Sequence, residues 1–205
     1  MYTDVVDLRD FYETSLGQVA ARMLRRRIRT IWPSLTGQSL AGLGYTVPYL
    51  RPYLGEAERV MSLMPAAQGV LPWPKEGPNV ATLTEEAELP LQDASVDRLL
   101  LVHALECSEQ VRPMLSEVWR VLAGGGRVLI VVPNRRGIWA RLDRTPFGGG
   151  LGEHGLALVS GDLGCGVGRG DQADLRQVQA LATGVAAAGV SAGCGRIART
   201  KPSAA

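Results

Sequence analysis

The 205-residue chain predicts an α/β fold built on a parallel sheet, and three observations predict it. Short apolar runs alternate with segments of helical periodicity, as strands joined by crossover helices do. One run, Arg127-Val128-Leu129-Ile130-Val131-Val132, is apolar at every position after the arginine, which suits a strand buried on both faces. All eleven aromatic residues lie at or before Phe147, so the large side chains a core needs are confined to the first 147 positions.

Taken in order, residues 7–31 read as one amphipathic helix. Leu8, Phe11, Tyr12, Leu16, Val19, Met23 and Leu24 recur at three-to-four spacing. Arg25, Arg26, Arg27 and Arg29 crowd its C-terminal end, where cations suit the helix dipole, and Pro33 stops it. That basic cluster reads either as a solvated helix end or as a contact for phosphate or an acidic partner. Ser39–Tyr45 is a short apolar run ending in glycine, and Pro48–Leu54 follows as a turn and short helix. Arg59–Leu63 is a second run, closed by Pro65. Pro72, Trp73, Pro74 and Pro78 make Gly69–Asn79 a loop. Val80–Leu83 is a third strand candidate, and Asp93 opens a turn before the apolar run Val96–Val102. Arg112–Leu122 is helical by pattern, with Met114, Leu115, Val118, Val121 and Leu122 on one face, and Gly124–Gly126 breaks it before the strand from Arg127. Pro133 and Asn134 end that strand.

The last 58 residues differ in kind: Gly and Ala supply 25 of them, and no aromatic residue is present. Such a segment buries little apolar area per residue. It reads as a flexible Gly/Ala tail, or as the product of a reading-frame change, which the excess of 20 Arg over 2 Lys in a GC-rich coding style would fit. The expected division is therefore an N-terminal helix over 1–34, a sheet domain over 35–147 and a tail over 148–205.

Composition excludes several classes. With 22 basic and 20 acidic residues the net charge is +2, which argues against an obligate nucleic-acid binder. The longest apolar runs fall far short of the roughly 20 residues of a membrane span. Three cysteines, Cys107, Cys165 and Cys194, form no CxxC pair, so neither a disulfide scaffold nor a metal site is expected. With no visible signal peptide, the expected compartment is the reducing cytoplasm.

Two phrases carry a resemblance. Leu89-Pro90-Leu91-Gln92-Asp93-Ala94-Ser95-Val96-Asp97 is similar to the fourth-strand entry of class I S-adenosylmethionine-dependent methyltransferases, type-11 subgroup. Glu117-Val118-Trp119-Arg120-Val121-Leu122-Ala123-Gly124-Gly125-Gly126-Arg127-Val128-Leu129-Ile130 resembles the phrase that leads into the fifth strand of the same group, and the two stand in the expected order. The resemblance covers roughly residues 35–147. It implies a Rossmann-like sheet, S-adenosylmethionine as cofactor, and methyl transfer; the weak net charge, not the resemblance, favours a small-molecule acceptor over a macromolecule. The group's closing strands have no counterpart after Phe147, so the sheet is expected to be incomplete at its C-terminal edge. That leaves an open edge at the fifth strand through which copies can associate.

The resemblance places the cofactor beyond the carboxyl ends of the strands, in a nucleoside-sized hollow where strand order reverses. Gly42, Gly44 and Tyr45 stand at the first strand's end, yet the usual acidic-x-G-x-G-x-G phrase reads here with no acid and with Thr46 and Pro48 in place of two glycines. The acid expected after the second strand to hold the ribose is replaced by Leu63-Met64-Pro65. Glu85 or Glu86 takes the third-strand acidic position, or is a solvated loop carboxylate; Leu89 lies beside them. His103 and Glu106, past the fourth strand, point to the place where donor and acceptor meet, where an imidazole serves as general base or merely packs the loop. Arg135, Arg136 and Trp139 line an acceptor pocket or cover the sheet. Asp162–Gly168 reproduces the missing glycine phrase, but its place after the fifth strand, and Ser160-Gly161 within the run before it, count against it. His154 reads as a loop residue. The missing acid and glycines keep a second reading open, a non-catalytic protein of methyltransferase shape that binds a partner.

Overall fold

The computed structural model describes residues 4–133 and 156–162. Its sheet contains β1 (Ser39–Gly44), β2 (Arg59–Pro65), β3 (Ala81–Thr84), β4 (Val96–Val102), β5 (Leu122–Pro133) and β6 (Leu156–Asp162), in the order β3-β2-β1-β4-β5-β6. The first five run parallel and β6 runs antiparallel to β5. Strand order reverses between β1 and β4, whose ends lie level, Gly44 opposite Val102. In an open α/β sheet that is where a crevice forms.

Side chains alternate across the sheet and build two cores. Leu40, Leu100, Val102, Leu129 and Val131 face the N-terminal helices. Leu43, Leu99, Leu101, Val128 and Ile130 face α4 (Val111–Val121), which buries Met114, Leu115, Val118 and Val121 against them. The two phrases singled out in the sequence meet here. Arg120 donates to the carbonyls of Leu89 (2.9 Å) and Leu91 (2.8 Å) and to Asp93 (2.6 Å), while Glu117 orients its guanidinium at 2.7 and 2.8 Å. Asp97 Oδ2 accepts from the backbone N–H and the hydroxyl of Ser39, both at 2.8 Å, and so pins the start of β4 to the start of β1. The phrases are thus first of all fasteners of the central strands.

Residues 7–31 are not one helix. α1 (Val5–Glu13) and α2 (Ser15–Ile31) are separated by Thr14, whose extended backbone ends the first and caps the second. Its hydroxyl donates to the Phe11 carbonyl (2.7 Å) and accepts from the Gly17 N–H (3.0 Å), meeting one unsatisfied group of each helix. The break resets the helical phase. α2 buries Gly17, Ala21, Leu24 and Ile28, while Val19 and Met23, expected on the apolar face, are 51% and 66% exposed. Gly17 sits so close to the preceding turn that a Cβ there would lie 2.0 Å from the Phe11 carbonyl oxygen.

The other elements fall near their expected places: α3 (Val47–Leu50) with a 3-10 turn (Arg51–Tyr53), β2, β3, β4 and α4. β5 begins at Leu122 rather than Arg127, because the triple glycine is taken into the strand and its pairing with β4 slips between Val96 and Arg98. The expectation of an uncovered β5 edge is corrected. β6 pairs along it from Arg127↔Asp162 to Pro133↔Leu156. Ser160 and Gly161 do not interrupt β6, since a ladder is made by the backbone, and they stand opposite Leu129 and Val128. The sheet therefore takes one strand from the segment expected to be tail. Arg135, Arg136, Trp139, His154 and residues 163–168 of the glycine phrase lie outside the described residues, and Asp162 ends an antiparallel edge strand.

Candidate active site

The site is built from what the chain does just after β1 and β4. Gly44 leaves β1 with φ +88°, a conformation that favours glycine, and a Cβ there would lie 2.2 Å from the Val102 carbonyl oxygen. His103 leaves β4 with φ +56°, which is strained for a residue with a Cβ and persists only when neighbours hold it. They do so on three sides. The Gln68 side-chain amide donates to the His103 carbonyl. Glu106 Oε1 lies 2.9 Å from His103 Nδ1, and the Tyr12 hydroxyl lies 2.9 Å from Nε2.

Tyr12 comes from α1, ninety-one positions away in sequence. Its oxygen also accepts from the Tyr49 hydroxyl at 2.7 Å. With the imidazole proton on Nδ1, facing Glu106, Tyr12 donates to His103 Nε2 while accepting from Tyr49. The result is a directional chain, Tyr49 to Tyr12 to His103 to Glu106. The Tyr12 ring stacks on Tyr45 at 5.6 Å and meets Tyr49 edge-on at 6.0 Å. The Val5 N–H, donating to the Gln68 carbonyl at 2.8 Å, ties the start of α1 to the chain after β2.

Electrostatics follow from this packing. Burial pushes the Tyr12 hydroxyl well above the ordinary phenol value, and neighbouring Tyr49 and Glu106 add to it. Burial, with Glu13 nearby, raises Tyr45 to about 12. Burial likewise raises Tyr49. All three remain protonated donors at neutral pH.

Of the residues expected at the site, Gly42, Gly44, Tyr45, His103 and Glu106 come together around the ends of β1 and β4. Glu85 and Glu86 follow β3: Glu85 bridges to Glu88, and Glu86 accepts from the Ser108 hydroxyl (2.6 Å) and the Gln110 N–H (3.3 Å) ahead of α4. Leu89 is buried in the α4-side core, its N–H bonded to Glu117 at 2.9 Å. Tyr12, Tyr49 and Gln68 were missed. Gln68 left a signal, a lone polar residue within Pro65-Ala66-Ala67-Gln68-Gly69-Val70. Tyr12 left none, because on its helix it reads as one more apolar position. Among the described residues no group of three or more His, Cys, Asp or Glu side chains is placed to hold a metal ion, and no helix is long and apolar enough to cross a membrane.

Residues 41–130 match the model of a family described as "Methyltransferase domain". No curated protein matches the chain. Solved structures similar to it include the YcgJ protein from Bacillus subtilis, 18% identical over 53% of this chain and 50% of that one, with a TM-score of 0.43. Another is an S-adenosylmethionine-dependent methyltransferase from Mesorhizobium loti, 20% identical over 58% and 56%, with a TM-score of 0.43. The chain spans about half the length of these structures.

S-adenosylmethionine is the methyl donor of this domain family, so the ends of β1, β2 and β4 are where its fit is tested. With Tyr12 in place, they do not accommodate it. The expected hollow is filled by the protein's own Tyr12, Tyr45, Tyr49 and His103, the last three at most 7% exposed. The position a Cβ on Gly42 would take is held by Thr46, 2.1 Å away. Leu63, Met64 and Pro65 end β2 as a buried stretch with no carboxylate for a ribose. Two oxygens at this end, Thr46 Oγ1 and Glu106 Oε2, are buried with no hydrogen-bond partner among the described residues.

Proposed function

We propose, from the match of residues 41–130 to a methyltransferase-domain family model, that this chain transfers a methyl group from S-adenosylmethionine to a small-molecule acceptor once α1 has carried Tyr12 away from the strand ends. The observation that carries the reading is the identity of the matched residues: they are β1, β2, β3, β4, α4 and most of β5, the elements that frame the switch point. The small net charge supports a small acceptor over a nucleic acid.

In this reading Thr14 is the pivot of the opening, since its extended backbone already separates the two helices. Gly42, Gly44 and Tyr45 on one side, and Glu85 and Glu86 with Leu89 behind them on the other, border the opened crevice. His103 is the base. Glu106 accepts its Nδ1 proton, which leaves Nε2 as the acceptor, and when Tyr12 departs that nitrogen takes the proton of the incoming hydroxyl or amine. The filled crevice favours a second reading, a non-catalytic protein of methyltransferase shape that acts by binding a partner.

Thermal melting with and without S-adenosylmethionine separates the two. A ligand that binds only the folded state at a hundred times its Kd raises the midpoint of a chain this size by roughly 5–10 °C. Tyr12→Ala removes the plug, so its apparent affinity exceeds that of the unaltered chain. If millimolar S-adenosylmethionine moves neither midpoint, methyl transfer is abandoned for the partner-binding reading.

A further inference from the structure

We propose that a groove beside the strand ends, as it stands with Tyr12 seated against His103, binds the anionic group of a small organic acid with an apolar body. The groove has a volume of about 190 Å³ and lies between α2, the start of α3 and the loop that carries Trp73. Tyr12 forms one wall, and its hydroxyl is the one bonded to His103, so the groove and the base share a residue. Val47, Pro48 and Trp73 supply apolar and aromatic surface. Arg25 and Arg51 supply charge, and none of the lining residues is an acid.

The two guanidiniums are poorly neutralised. Arg25 makes only a 3.3 Å bond from Nε to the Ala21 carbonyl, with no carboxylate partner among the described residues. Arg51 faces Glu76 at 3.9 Å with both side chains more than two-thirds exposed, a pairing that contributes little in water. On its other side Arg25 borders a second groove of about 290 Å³, beside Arg26 and Arg29. Arg29 is spent on Glu56 at 2.6 Å, and α2 contains no acidic residue. A recess lined by one sign of charge over apolar walls concentrates ions of the opposite sign. Guanidinium groups select carboxylate or phosphate, and an aromatic wall favours a ligand with a ring or short apolar body.

The test uses the full chain without methyl donor and follows Trp73 emission, with Trp73→Phe identifying the signal. Sodium benzoate is the ligand, benzamide its neutral counterpart and inorganic phosphate the bare anion. Benzoate is expected to saturate, benzamide to have no comparable effect, and phosphate to bind more weakly. Arg25→Gln and Arg51→Gln are each expected to weaken benzoate about tenfold, the effect of losing one charge-assisted contact. Arg27→Gln, on the same helix but outside the groove, is expected to leave it unchanged. Equal binding of benzamide, unchanged affinity in both groove variants, or phosphate as tight as benzoate overturns the proposal. Benzoate binding in a chain that takes no S-adenosylmethionine leaves the groove standing and removes only the methyl-transfer reading.

Discussion

The two faces of the sheet are filled by different chemistry. On the α4 side the core is almost wholly aliphatic, built from Leu99, Leu101, Val118, Val128 and Ile130 with no buried hydroxyl among them. On the other side Trp32, Tyr45, Tyr49, Tyr53 and Trp73 join the aliphatic residues and bring polar atoms into the core, of which Trp32 Nε1 is buried with no hydrogen-bond partner among the described residues. Tyr53 bonds the Trp32 carbonyl at 3.2 Å, and Tyr49 bonds Tyr12. The aliphatic face is non-directional and holds the sheet together. The aromatic face is directional, and it places hydroxyls at the strand ends. The residues matched to the family model, 41–130, contribute to both faces, whereas Tyr12 and Trp32 on the second come from the chain before them.

Three experiments break or sharpen that contrast, beginning with the largest effect. Leu101→Ala and Leu100→Ala empty neighbouring positions of β4 on opposite faces, both fully buried. Each is expected to cost about 3 kcal/mol in urea unfolding. If the faces differ as described, Leu100→Ala also disturbs near-ultraviolet circular dichroism from the aromatic side, whereas Leu101→Ala leaves that signal intact.

A smaller effect is expected from Tyr12→Phe. It keeps the ring and deletes the hydroxyl, removing the bonds that hydroxyl makes to Tyr49 and to His103 Nε2, at a cost of about 2 kcal/mol. The same cluster has an alkaline signature. Burial raises Tyr12, Tyr45 and Tyr49, so their contribution to stability is complete below the ordinary phenol value near 10 and is lost as pH climbs toward the raised values. Tyrosinate absorbance from these rings should therefore appear together with alkaline unfolding. Its appearance in the native chain near pH 10 would mean that the rings are open to water.

Arg120→Gln is the mildest, on the order of 1 kcal/mol, because the guanidinium is partly exposed. The bond from Arg120 holds Glu117 below the usual carboxylate value. Its contribution is present above about 4.5 and is lost as pH falls through the lowered folded value. The variant's stability should therefore depend less steeply on pH in the acid limb than that of the unaltered chain.

The α4 face was legible in sequence because its rules are local. Val96–Val102 and the helix through Met114, Leu115 and Val118 follow from the spacing of apolar residues, and both stand where expected. The expected site residues Gly42, Gly44, Tyr45, His103 and Glu106 also came together, since strand ends are easily placed once the strands are. The rest depended on contacts distant in sequence. That Tyr12 would reach His103 follows from the break at Thr14, where one hydroxyl outweighs a continuous apolar stripe. β6 was obscured because Ser160 and Gly161 weaken a strand by propensity but cost a ladder nothing by geometry.

The joint at Gly17 has a consequence for the N-terminal arm. With no room there for even one carbon atom against the Phe11 carbonyl, the elbow cannot close further, and the only swing left to the arm is outward. The arm therefore has a hard stop on its closed side, and any substituent at position 17 would be felt as a misplaced phenol at the far end of the sheet.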